Sequence, residues 1–192
     1  MKIYDISREM FSTPPYPGDP KSRWEPLQRM DTGSEYNTSA YYACAHAGTH
    51  IDAPLHYVFE GTPIDQVDIH RFLGMCTVFT VKGLITGKDI DRMLLHSQKR
   101  ILFRGAGQAF LSHSGAFALA EAGVLLVGTD ASSIGMYEEE TPPHKELLQA
   151  GIPILENLNL HGVREGDYFL SALPIKMAGM EAAPVRAVLV EG

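Results

Sequence analysis

Three histidines and an aspartate stand within eleven residues of this chain: His46, His50, Asp52 and His56, interleaved with Gly48, Thr49 and Pro54. The whole 192-residue chain holds only eight histidines, so this density is local. Imidazoles and a carboxylate converging on one point form a zinc-type site, and a position left open to water makes such a site catalytic. Two imidazoles and one carboxylate suit Zn2+ and Mn2+ alike. A His pair four apart faces one way on a helix, as in the His-Glu-x-x-His motif. Here Ala47 and Gly48 follow His46, and Gly48 and Pro54 oppose a helix. In an extended chain the even positions 46 to 56 share one face by the period of two. Gly48 and Pro54 favour bends, so the spacing predicts a strand ending in a tight loop that carries the ligands. The competing reading is a histidine-rich loop with no metal.

The full pattern His46-x-Gly48-Thr49-His50-x-Asp52-x-Pro54-x-His56 resembles the signature of the cyclase family of metal-dependent hydrolases, which contains arylformamidases (kynurenine formamidases) and isatin hydrolases. A second segment, His144-x-x-Leu147-Leu148-x-x-Gly151-Ile152-x-Ile154-x-Glu156-Asn157-Leu158, is similar to the family's second metal-binding region. From the residues alone, Glu156 interrupts an apolar run. It either points to solvent by alternation or needs a partner, because a lone buried carboxylate is costly. His161, in a turn at Asn159-Leu160-His161-Gly162, reads as a surface residue. Resemblances also extend to the proline-rich loop Pro14-Pro15-Tyr16-Pro17-Gly18-Asp19-Pro20, to Ile64-Asp65-Gln66-Val67, and to Ala183-Pro184-Val185-Arg186-Ala187 near the end of the chain.

The resemblance implies one α/β domain over residues 1–192, with a mixed β-sheet and flanking helices in a swivelling β/β/α-like arrangement. It implies that His46, His50 and Asp52 bind a first metal and that Asp52 bridges to a second held by His144 and Glu156. The cofactor is then Zn2+, or alternatively Mn2+, one or two per chain. His56 takes the family's proton-transfer role. The implied activity is hydrolysis of an amide, formamide or lactam, by a metal-activated water, with N-formylkynurenine as a candidate substrate. Two other readings stand beside it: a cyclase or lyase that stabilises an enolate with the same metal, and a non-catalytic metal-binding scaffold. The resemblance also implies a homodimer or higher homo-oligomer. The chain departs from the family in two places. Gly128-Thr129-Asp130-Ala131-Ser132-Ser133 lacks the family's Thr-Pro after the aspartate, and the run 105–114 is short.

Composition sets the frame. Hydrophobic content of 45% and charged content of 20% are those of an ordinary globular domain. A net charge of −7 argues against a nucleic-acid or anionic-membrane surface but does not itself predict a ligand; a small-molecule substrate is what the resemblance implies. Asp5, Arg8 and Glu9 break up any signal-peptide core. No apolar run reaches the roughly 18 residues of a membrane span, and a cytoplasmic location is expected. Cys44 and Cys76 sit in apolar, strand-like runs and read as reduced, buried thiols.

The elements that must position these residues follow from patterning. Strands are predicted near residues 2–7, 38–45, 76–81, 100–104, 124–127, 152–158 and 184–190. Helices are predicted over 88–96 behind a Thr86 cap, over 114–122 with Gly123 as the stop, and over 144–150 behind Pro142-Pro143. Residues 24–36 show no periodicity. The acidic run 138–140 reads as surface, Tyr16 as a pocket wall, and Tyr57 and Phe59 as aromatics beside the site. Gly105-Ala106-Gly107 lacks the third glycine of a dinucleotide fingerprint. Alternating strands and helices predict an α/β fold.

Overall fold

The computed structural model describes residues 1–192. Its strands are β1 (Lys2–Asp5), β2 (Arg23–Gln28), β3 (Thr38–Tyr42), β4 (His50–Asp52), β5 (Leu73–Thr80), β6 (Gly83–Ile85), β7 (Arg100–Arg104), β8 (Ala109–Leu111), β9 (Leu126–Thr129), β10 (Ile154–Glu156), β11 (Gly166–Ser171), β12 (Ala182–Pro184) and β13 (Val188–Glu191). Three helices, α1 (Gly87–Met93), α2 (His113–Glu121) and α3 (Thr141–Gln149), complete the fold.

Nine strands form one mixed sheet in the order β1-β13-β11-β5-β7-β9-β10-β4-β12. The centre, β5-β7-β9-β10, is parallel, and the strands outside it pair antiparallel. Both faces of that centre are covered. In β7, Leu102 packs into one apolar cluster with Ile51, Leu126, Leu155 and Leu189. Its neighbours Ile101 and Phe103 pack into a second cluster with Ile90 of α1, Leu119 of α2 and Leu147 of α3. A strand buried on both faces reads as a continuous apolar run, which is why 101–103 shows no alternation. Gly128 in β9 admits this packing, since a Cβ there would lie 2.6 Å from Leu102 Cδ2.

Helix boundaries follow the caps. Thr86 and Asp89 form a capping box at α1, Ser112 Oγ accepts from Gly115 N at α2, and prolines stand in the first turn of α3. The mixed α/β sheet with flanking helices is as expected. Two local expectations change. Residues 23–28, which show no pattern, form β2. All six of its residues are exposed, so no alternation between a core face and a wet face exists to be read. The segment before the histidines also differs. Strand β3 stops at Tyr42, and His46 lies in the turns that follow. The short strand is His50–Asp52 itself. No helix is long and apolar enough to cross a membrane.

Candidate metal centre

The register of two strands builds the centre. Strand β4 pairs antiparallel with β10, so that Asp52 faces Ile154, Ile51 faces Leu155 and His50 faces Glu156. Ile51 and Leu155 belong to one core cluster, and Ile154 belongs to the helix-side cluster. By the period of two, His50, Asp52 and Glu156 therefore share the helix side. Helix α3 covers that side and brings His144 inward on the same stripe as Leu147 and Leu148. The short helical turn Pro54–His56 returns His56 to the same point. Glu156 thus resolves to the buried alternative, with its partners supplied by α3 and β4.

The side chains meet at close range. His46 Nδ1 lies 2.9 Å from Asp52 Oδ1. His50 Nε2 lies 3.4 Å from Asp52 Oδ1 and 3.5 Å from Glu156 Oε2. His144 Nε2 lies 3.7 Å from Asp52 Oδ2 and 3.2 Å from Glu156 Oε1. The rings of His46 and His56 are 4.4 Å apart between centroids. All five residues expected as ligands are together, with His56 beside them.

These residues fit a divalent cation. Asp52 Oδ1, Asp52 Oδ2 and His50 Nε2 are buried, yet none makes a hydrogen bond despite the close neighbours. Such atoms are costly unless they share a partner, and a cation on which they converge supplies one. Two imidazoles are oriented for that role from behind. His50 Nδ1 pairs with the Gly48 carbonyl at 3.0 Å and His144 Nδ1 with the Glu140 carbonyl at 2.7 Å. With Nδ1 donating, Nε2 is left to face the cluster, as in histidine–metal centres. His46, Asp52 and His56 bring ligand atoms within 4.8 Å of one another, as do His50, Asp52 and Glu156. Asp52 is common to both groups.

The family model described as "Putative cyclase" matches residues 4–135. The chain belongs to the cyclase family. A kynurenine formamidase of Delftia acidovorans (strain DSM 14801 / SPH-1) is 36% identical over 202 aligned residues, spanning 98% of this chain and 97% of the relative. A structure described as a potential metal-dependent hydrolase with cyclase activity superposes with a TM-score of 0.83 at 32% identity, covering 98% of this chain and 96% of that one. Isatin hydrolase A from Labrenzia aggregata shares the fold, with a TM-score of 0.83 at 18% identity over 100% of this chain and 94% of its own.

Electrostatics in this cyclase-family site are dominated by burial and mutual charge. Burial alone would lower every imidazole and raise every carboxylate. For His50 the contacts with Asp52 and Glu156 outweigh burial and push the imidazole up to about 10. The same balance raises His46 and lifts His144 well above the ordinary value. Asp52 is held well below the carboxylate range, with His46 and His144 overcoming its burial. Burial and the charge of Asp52 both push Glu156 up, but His144 and His50 bring it net downward. His56 is the exception: burial keeps its imidazole below the ordinary value.

A cavity of about 210 Å³ opens onto the cluster. Tyr16, Asp19, Tyr57, Ser133 and Glu140 join the histidines in its wall. Tyr16 is a wall residue as expected, and its hydroxyl donates to Glu140 Oε1 at 3.0 Å. Tyr57 stacks on His144 with centroids 4.7 Å apart, whereas Phe59 is exposed. The acidic run divides: Glu138 and Glu139 face solvent, but Glu140 turns into the cavity. Gly135 permits this, because a Cβ there would overlap Glu140 Cα.

Asp130 lies outside the cavity. Its carboxylate accepts from Gly105 N at 3.0 Å and Gly107 N at 3.1 Å, bracing the 105–107 turn. His161 is exposed, as expected, and does not line this cavity. Cys76 is buried, Cys44 is partly so, and both are free thiols. Thr49 was an unassigned position of the motif. Its hydroxyl accepts from Arg8 N and donates to the Asn157 carbonyl, each at 2.7 Å. It therefore ties the residue before His50 to the residue after Glu156. Only the fixed threonine of the motif hinted at this role.

Proposed function

We propose that this protein is a metal-dependent amidohydrolase in which His46, His50, Asp52, His144 and Glu156 hold one or two divalent cations, Zn2+ or alternatively Mn2+. The observation that carries the reading is the buried convergence of unpartnered ligand atoms on Asp52. When bound, a divalent cation there polarises a carbonyl oxygen and acidifies a water molecule.

The chain's own residues do the rest. His56, kept neutral by burial and set beside His46, accepts the proton of the attacking water and returns it to the leaving nitrogen. Gly48 and Glu140 fix two imidazoles through their carbonyls. Tyr16 and Tyr57 wall the cavity, and its polar lining orients the amide. At about 210 Å³ the cavity is below the usual range of roughly 300–1,000 Å³ for ligand pockets. It suits a small scissile group such as a formamide or a lactam edge. The formamidase relative supports N-formylkynurenine as the substrate to try first.

The reading extends to one catalytic domain over residues 1–192, cytoplasmic and homo-oligomeric. The β2–β3 hairpin supports self-association, because it exposes Trp24 and Tyr41 side by side on one face. A cyclase or lyase reaction at the same centre is the second reading, supported by the cyclase activity in the description of the 32% identical structure. Turnover of N-formylkynurenine and of cyclic amides by metal-loaded protein, lost on chelation and regained on reloading, is the result expected. Metal retention with no amide hydrolysed would overturn the hydrolase reading.

A further inference from the structure

A second cleft, about 600 Å³ in volume, opens at the carboxyl ends of β5, β7 and β9. Thr80 ends β5, Arg104 ends β7, and Asp130 follows β9. In parallel sheets this edge is where ligands bind. The cleft is lined by Arg8, Lys82, Arg104 and His161 besides Thr80 and Asp130. None of the four basic residues forms an ion pair, although the chain's other close pairs engage Arg29, Arg92 and Arg186. The two arginines are nevertheless held in place. Arg8 Nε donates to the Leu158 carbonyl at 3.2 Å. Arg104 donates to Thr80 Oγ1 at 2.6 Å and to the Val163 carbonyl. Carbonyl and hydroxyl partners position a guanidinium without cancelling its charge.

We propose that this cleft is a binding site for a small oxyanion, a phosphoryl or dicarboxylate group. The charge balance sets the sign of the ligand. Arg8, Lys82 and Arg104 share the cleft with Asp130, whose carboxylate accepts from two backbone N–H groups, of Gly105 and Gly107, and Glu165 at the rim accepts from Thr80 N. The three cations outnumber the two carboxylates, so the cleft keeps a net positive charge. In a chain of net charge −7 this concentration is local, and a cleft in which one sign of charge predominates concentrates the counter-ion. The guanidinium groups offer the planar forks that oxyanions take up. The cleft also adjoins the metal centre through one residue: the backbone of Arg8 bonds Thr49, and its side chain bonds Leu158.

Calorimetric titration of the metal-loaded protein with inorganic phosphate, and separately with malonate, at low ionic strength tests this. One anion should bind per chain. The Lys82→Ala/His161→Ala double variant removes two side chains that make no hydrogen bond in the fold. It should keep its melting temperature and metal content while weakening the anion by about tenfold or more. Tighter binding of phosphate than of malonate assigns a phosphoryl ligand, and the reverse order assigns a dicarboxylate. No saturable binding up to about 10 mM, tenfold weaker than a millimolar site, would overturn the proposal. So would full affinity in the double variant, which would place the anion on the metal instead.

Discussion

Replacing Thr49 with Val tests whether the two halves of the metal centre are pinned together by one hydroxyl. Thr49 is 2% exposed, and its Oγ1 bridges Arg8 N and the Asn157 carbonyl at 2.7 Å each. Valine has nearly the same shape, so packing is kept and only the two hydrogen bonds are lost. Each orphaned backbone group costs about 1–3 kcal/mol, and the pair together about 2–4 kcal/mol because both hydrogen bonds are only part-buried. For a chain of this size each kcal/mol lowers the melting temperature by roughly 2–4 °C, which predicts a drop of about 4–16 °C. Asn157 holds a left-handed backbone at φ 58° directly after Glu156. Releasing its carbonyl loosens Glu156, and metal affinity should fall by about 10–100-fold, as for other outer partners of metal ligands. Thr49→Ser retains the hydroxyl and should recover most of both losses. Calorimetry of the metal-free proteins and competitive metal titration against a chelator read the two effects separately. A Thr49→Val protein that melts within about 1 °C of wild type and binds metal equally well would refute the reasoning.

Other perturbations reach different parts of the account. Gly61→Ala places a Cβ 2.7 Å from the Pro54 carbonyl carbon and 2.8 Å from Leu55 N. It should displace the turn bearing His56, lowering kcat about tenfold or more while metal content holds; unchanged kcat would separate His56 from the chemistry. With His50 pushed up to about 10, that imidazole carries a proton at pH 7.5 in chelated protein, and His144 is shifted in the same direction. Metal loading should then release about one proton or more per chain, read from calorimetry in buffers of different ionisation enthalpy. Independence from the buffer would contradict those assignments. The Cys76 thiol, pushed up to about 12 by burial from an unfolded value of 9.0, stays protonated in the fold while the unfolded chain ionises. Between those values stability should fall by about 1.4 kcal/mol per pH unit from this group alone, a slope that Cys76→Ala removes. An identical slope in the variant would refute that attribution.

Much of this site was legible in order of residues because its densest part is local. His46 to His56 lie on one turn, one three-residue strand and one short helical turn, so spacing alone brought them together. Glu156 was half legible: the apolar run around it marked a strand, but its facing depended on the pairing with β4, which no local pattern contains. His144 lies 92 residues beyond Asp52 in the chain, and only the resemblance joined them. Glu140 and β2 were hidden for opposite reasons. Glu140 sits in an acidic run that looks like surface yet turns inward where Gly135 leaves room. Strand β2 pairs only with β3 and buries no face, so it carries no alternation to detect.

Elemental analysis of the protein and of Asp52→Asn, each stripped by chelator, reloaded with Zn2+ or Mn2+ and desalted, tests the central claim most directly. Asp52 is fully buried and lies within 3.7 Å of three imidazoles, so its charge is shared by every ligand group. About one to two ions per chain are expected in the wild type and almost none in Asp52→Asn. A wild type that retains no metal, or an Asp52→Asn protein that retains the full complement, would contradict it.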